Sequence, residues 1–141
     1  MSNSSICVDA GLVIRLVANP ADVSVHQLWE RWAADPELCI AAPTLLFYEV
    51  SNALYQYHRL GLLSAAAVAL AQEAALALPI DLFGTLALHL RAVDLAAKHA
   101  LPAAYDAHYL ALAEQLEAEL WTADRRLFQA VGDALPWVHQ V

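Results

Sequence analysis

Short apolar runs alternate along this chain with longer stretches in which apolar residues recur at helical spacing. Ser5-Ile6-Cys7-Val8 has the pattern of a buried strand that stops at Asp9. Leu38 to Ala41, Ile80-Asp81-Leu82, Glu119 to Thr122 and Pro136-Trp137-Val138 are further short strands by the same criterion. Helices are expected between them. The first spans Ala10 to Ala18 and is stopped by Asn19-Pro20; the second, capped by Ser24, passes Trp29 and Trp32 to Ala34. Pro43-Thr44 opens a long helix that runs to about Leu60, with Gly61 as its stop. Its stripe of Leu46, Val50, Ala53, Leu54 and Tyr57 faces a core. Ser64 caps an Ala-rich helix to about Leu78, ended by Pro79. Three more helices are expected over Thr85 to His99, Ala104 to Glu117 and Asp124 to Val131.

Strands separated by helices pair in parallel through right-handed crossovers. The expected fold is therefore α/β, a three-layer α/β/α sandwich around a small central parallel sheet. No repeat or linker divides residues 1–141, so one domain is expected. In such a sheet ligands gather beyond the carboxyl ends of the strands. Asp9 directly follows the first strand, and Asp124 lies two residues past the strand that ends at Thr122.

Composition narrows the chemistry. The chain is 60% hydrophobic and 16% charged, which excludes disorder as its main state. Only four glycines argue against an all-β fold with many tight turns. Fifteen acids against seven bases give a net charge of −8, which excludes a simple basic nucleic-acid binder. An enzyme whose metal ions reverse the local sign stays open. The best membrane-span candidate, 61–80, carries Gln72 and Glu73 at its middle. The first residues lack the basic start of a secretory signal, so a cytoplasmic protein without membrane contact is expected. Cys7 and Cys39 sit in apolar contexts, as reduced thiols would, and have no zinc-site spacing. No Gly-rich phosphate loop exists.

Four acids stand out because each is set among apolar residues: Asp9 in CVDAGLV, Glu49 in LFYEVSNAL, Asp106 in AAYDAHYLAL and Asp124 in WTADRRLF. Each has a plain structural reading. Asp9 and Asp124 fit helix caps, Asp106 fits a first-turn acid that complements the helix dipole, and Glu49 fits a solvated face shared with Asn52. Taken together, two acids at strand ends and two on helices can converge on one crevice. Four carboxylates there repel one another unless some are protonated or a cation joins them. Oxygen-only ligands suit Mg²⁺, with Mn²⁺ as a substitute. Arg15, Arg125 and Arg126 are placed either to touch substrate phosphate or to form structural ion pairs. His108 points to a different helix face from Asp106, and the other five histidines show no ligand spacing. Tyrosines and phenylalanines are expected in the core and at interfaces rather than as a stacking platform for bases.

At these residues the chain resembles the PIN-domain ribonucleases, specifically VapC-type toxins of toxin–antitoxin pairs. The resemblance rests on VDAGLVIRLV, APTLLFYEVSNAL, LPAAYDAHYLALAE and LWTADRRL, and covers almost the whole sequence. It implies that Asp9, Glu49, Asp106 and Asp124 form the family's acidic quartet and hold the metal. Thr122 matches the hydroxyl of the family's (S/T)xD element, and Asn52 matches a polar residue often found after the Glu. Gly11 departs from the pattern, which commonly has Ser or Thr there. The resemblance further implies metal-dependent hydrolysis of RNA phosphodiester bonds leaving a 5′ phosphate, a homodimer, and a small antitoxin that covers the site. Two alternatives compete. One is a non-catalytic PIN-like protein that binds a partner or RNA. The other is an α/β phosphatase or phosphotransfer domain with an aspartyl nucleophile, which usually wants a Lys late in the chain; the sole lysine here is Lys98, on a helix.

Overall fold

The computed structural model describes residues 4–141. Five strands form one sheet: β1 (Ser5–Val8), β2 (Cys39–Pro43), β3 (Asp81–Phe83), β4 (Glu119–Thr122) and β5 (Val138–Gln140). Their order is β3-β2-β1-β4-β5 and every pairing is parallel. The helices are α1 (Ala10–Ala18), α2 (Val23–Ala33), α3 (Leu45–Arg59), α4 (Ala65–Leu76), α5 (Leu86–Lys98), α6 (Tyr105–Leu116) and α7 (Arg125–Val131). The sheet grows one way from β1 through β2 to β3, then returns to β4 and β5. Right-handed crossovers therefore put α1 to α4 on one face and α5 to α7 on the other. This is the α/β/α sandwich expected from the alternation of patterns.

The central strands are buried on both faces, which is why Cys7, Val8, Ala41, Ala42 and Leu120 lack the polar alternation of a half-exposed strand. From α3, Leu46, Val50 and Leu54 reach the core at the spacing read from the sequence. Each such side chain stabilises the fold by about 1.5–3 kcal/mol relative to an exposed one. α6 is buried nearly all round its middle, from Ala107 to Ala113 apart from His108, because it lies directly on the sheet.

Several bounds and one cap differ from the sequence pattern: β3 is Asp81–Phe83 rather than 80–82, and α3 starts at Leu45 rather than at Pro43-Thr44. Asp22, not Ser24, caps α2: its side chain accepts from the Val25 N–H at 3.2 Å, and the Ser24 hydroxyl donates to the same carboxylate. The last strand is Val138–Gln140 rather than 136–138, because its pairing with β4 starts at Val138 opposite Leu120. β2 continues past Ala41 to Pro43, which pairs with Phe83 at the end of β3. Both cysteines are free thiols, and burial pushes the Cys7 thiol up to about 12, so it stays protonated and inert. Among the described residues no helix is long and apolar enough to cross a membrane.

Candidate active site

β1 and β4 are neighbours, yet the chain leaves β1 toward β2 and β4 toward β5. A crevice opens between the carboxyl ends of two strands at such a switch point. Asp9 and Asp124 stand there because each strand ends where the apolar run ends and a helix begins with a capping acid.

The Asp9 side chain is buried. Its Oδ1 accepts from the Leu12 N–H at 2.9 Å and the Ala123 N–H at 3.3 Å, and its Oδ2 accepts from the Thr122 hydroxyl. Burial raises the pKa of Asp9, these three bonds oppose the rise, and Asp124 adds to it. Asp124 caps α7, with Oδ1 accepting from Arg126 and Leu127 N–H groups at 2.9 and 3.1 Å. Its own N–H donates to Thr122 Oγ1 at 2.8 Å. The fully buried Thr122 hydroxyl thus ties the two strand ends together. Thr122→Val should cost about 1–3 kcal/mol, because it leaves a buried carboxylate oxygen and a backbone N–H without partners. Chemical denaturation measures this, and a cost near zero contradicts the bridge.

Glu49 reaches the crevice from α3 and Asp106 from the first turn of α6. The Tyr109 hydroxyl donates to Glu49 Oε1 at 2.6 Å. Tyr109 is buried, and burial together with Glu49 holds its hydroxyl protonated as a donor. Asp106 is pushed up to about 6, first by burial, then by the charges of Asp124, Glu49 and Asp9. All four acids line one cleft of about 260 Å³ together with Gly11, Ala53 and Tyr109. Gly11 has a packing reason: a Cβ there would lie 3.2 Å from the Cβ of Ala123, so the Ser or Thr common at this position would crowd the turn.

The other residues singled out in the sequence lie elsewhere. Asn52 is exposed, and Ala53 takes the cleft position one turn on from Glu49. Arg15 Nε donates to Asp22 at 2.6 Å and its Nη1 to the Val141 carbonyl at 2.8 Å, so it secures the α1–α2 corner. That guanidinium holds the Asp22 carboxyl down to about 2. Arg125 and Arg126 are exposed on α7, beside Asp124 but outside the cleft wall.

Among the described residues no three His, Cys, Asp or Glu side chains already surround one point as metal ligands. The pairings account for this. Asp9 is turned toward three donors and Glu49 toward Tyr109. The donor set still fits a hard divalent cation. It is all oxygen and it carries excess negative charge, which adds to burial in lifting Asp106.

The sequence profile of the PIN domain matches residues 6–134. The chain belongs to the PIN-domain family. Among solved structures, this PIN domain is similar to PAE2754 from Pyrobaculum aerophilum at 25% identity, with a TM-score of 0.71 over 99% of this chain and 85% of that one. A toxin–antitoxin complex from Klebsiella pneumoniae is similar at 22% identity and a TM-score of 0.61, over 94% of each chain. VapC20 from Mycobacterium tuberculosis, described as a sarcin–ricin loop cleaving toxin, is similar at 19% identity and a TM-score of 0.62, over 90% of this chain and 95% of that one. None of the curated proteins matches.

Two features of this PIN domain escaped the sequence. Tyr109 looks like core in YDAHYLAL, although its place three residues after Asp106 puts it on the same helix face. His89 and His108 show no ligand spacing in the sequence, yet their ring nitrogens meet at 2.9 Å because α5 and α6 pack side by side.

Proposed function

We propose that this PIN domain is a metal-dependent endoribonuclease of the VapC toxin type, in which Asp9, Glu49, Asp106 and Asp124 hold Mg²⁺ or, as a substitute, Mn²⁺. The observation that carries the reading is the convergence of these four acids on one cleft at the sheet's switch point. Burial, joined by repulsion from Asp124, Glu49 and Asp9, lifts Asp106 to about 6, and the repulsion among the four supports a cation as their natural counterpart. When bound, such an ion supplies a polarised water and neutralises charge on a phosphoryl group. Asp9 is held rigid by Thr122, Leu12 and Ala123. Tyr109 positions Glu49 by its hydrogen bond and so acts through that carboxylate. Arg125 and Arg126 are free to meet substrate phosphate beside Asp124, whereas Arg15 is engaged by Asp22.

Similarity in fold to a toxin–antitoxin complex and to a toxin supports pairing with a small antitoxin protein. Leu86, Leu90 and Val93 form an exposed apolar stripe along α5, the kind of surface that protein partners cover, and it supports a homodimer. A cytoplasmic location fits a protein acting on cellular RNA.

The test is incubation with RNA in Mg²⁺ or Mn²⁺ and, in parallel, in chelator. Cleavage only with metal, leaving 5′ phosphates, is the expected result. Expression without the partner should slow growth, while the Asp124→Asn variant should not. RNA or antitoxin binding without cleavage under any metal would replace this reading with the non-catalytic one.

A further inference from the structure

A second cavity, of about 320 Å³, adjoins the acidic cleft between α3, the end of β3, α5 and the start of α6. Tyr48 and Tyr105 line it, and each directly precedes a cleft acid, Glu49 and Asp106. A one-residue step on a helix turns the side chain by about 100°, so both helices show an acid to one cavity and an aromatic ring to the other. These tyrosines were expected in core or interface, but Tyr48 is 76% and Tyr105 65% exposed. Thr44 and Thr85 also line the cavity. They stand at the N-caps of α3 and α5, yet neither hydroxyl makes a capping bond. In a chain of net charge −8, no acid among the described residues lines this cavity.

One wall is fixed by an imidazole pair. His108 Nδ1 lies 2.7 Å from the Ala104 carbonyl, which can only accept, so that nitrogen carries the proton. Its Nε2 lies 2.9 Å from His89 Nδ1, so the two rings hydrogen-bond to each other. Gly84 keeps the floor open: a Cβ there would fall 2.9 Å from Thr44 Cγ2.

We propose that this cavity receives an unpaired nucleobase of the RNA, next to the bond that is cut; the proposal rests on the nuclease reading. Exposed aromatic faces, free hydroxyls, fixed imidazoles and no repelling carboxylate are what a splayed-out base requires from a protein. The base stacks on tyrosine while the sugar–phosphate chain crosses to the acidic cleft.

The experiment titrates adenosine and cytidine into the protein, with ribose as the baseless control, and follows the imidazole NMR signals of His89 and His108. Saturable shifts, with affinity at least about tenfold above that of ribose, are expected. Tyr105→Ala trims an exposed ring without touching the core and should weaken nucleoside binding about tenfold. Gly84→Val should abolish nucleoside binding while the Mg²⁺-induced rise in melting temperature persists, which separates a filled cavity from a failed fold. In RNA cleavage Tyr105→Ala should raise KM far more than it changes kcat. Equal response to ribose and nucleosides overturns the proposal. So do histidine signals that shift with protein concentration alone and ignore nucleosides, since a second copy then fills the cavity. Nucleoside binding in a protein that cleaves no RNA would sink the nuclease reading and leave the cavity's ligand standing. Cleavage unaffected by Tyr105→Ala, with no nucleoside shifts, would sink the cavity alone.

Discussion

Asp9→Asn is expected to lower RNA cleavage by at least about a hundredfold while the protein stays folded. The carboxylate sits where β1 ends, and its charge, rather than its volume, is what the proposed cation needs. Asparagine keeps the shape and an acceptor oxygen for the Leu12 and Ala123 N–H groups. Its amide nitrogen would face Thr122, whose hydroxyl can turn and accept instead. The variant gives up charge-assisted bonds but also the cost of burying a charge, so stability should change by no more than about 1 kcal/mol. Cleavage assays beside a denaturation curve separate the two effects. Full cleavage by a folded Asp9→Asn protein contradicts the assignment of this residue.

Asp106→Asn should do something less common: remove activity and raise the stability of the metal-free protein. Asp106 faces Asp124, Glu49 and Asp9, and burial with their charges pushes it up to about 6 from an ordinary value near 3.8. A carboxyl with a raised pKa in the folded state binds protons more tightly there than in the unfolded chain. Its contribution is therefore most favourable below about pH 4 and is lost as pH rises toward 6. Asparagine carries no such penalty. At pH 7 the variant should be about 1 kcal/mol more stable, allowing for the solvent exposure of the cleft, which corresponds to a few degrees in Tm. The gain should shrink as pH falls and approach zero near about pH 3, where Asp106 is protonated in both states. A variant less stable than the parent at pH 7, without metal, contradicts the repulsion on which the site reading depends. Stability gained at the expense of function is the usual mark of like charges gathered for a task.

The parts of the fold that were legible in the sequence are those set by local rules. Apolar runs ending at Asp9 and Thr122 mark strand ends, and parallel pairing follows from helices between strands. The acids stood out because charge amid apolar residues needs an explanation. What the sequence posed as alternatives, cap or cleft acid, coexist in the structure. Asp124 spends Oδ1 on α7, and Asp9 caps α1 while facing the same cleft. Less legible were features made by packing between distant segments. The Tyr109–Glu49 bond spans 60 residues, and the His89–His108 pair depends on the alignment of α5 with α6. Arg15 shows the same limit. Nothing in its neighbourhood in the sequence announced that Asp22 and the Val141 carbonyl would engage it.

The central claim is that the cleft is built for a divalent cation, and thermal melting against Mg²⁺ tests it most directly. At pH 7 the melting temperature of the wild-type protein should rise saturably through the millimolar range, reaching about 2.7 kcal/mol of stabilisation at a hundred times the dissociation constant. At pH 5 the rise should be smaller, since protons compete for Asp106, and in Asp9→Asn it should be largely lost. A flat response at both pH values, or an equal rise in wild type and Asp9→Asn, would contradict the account.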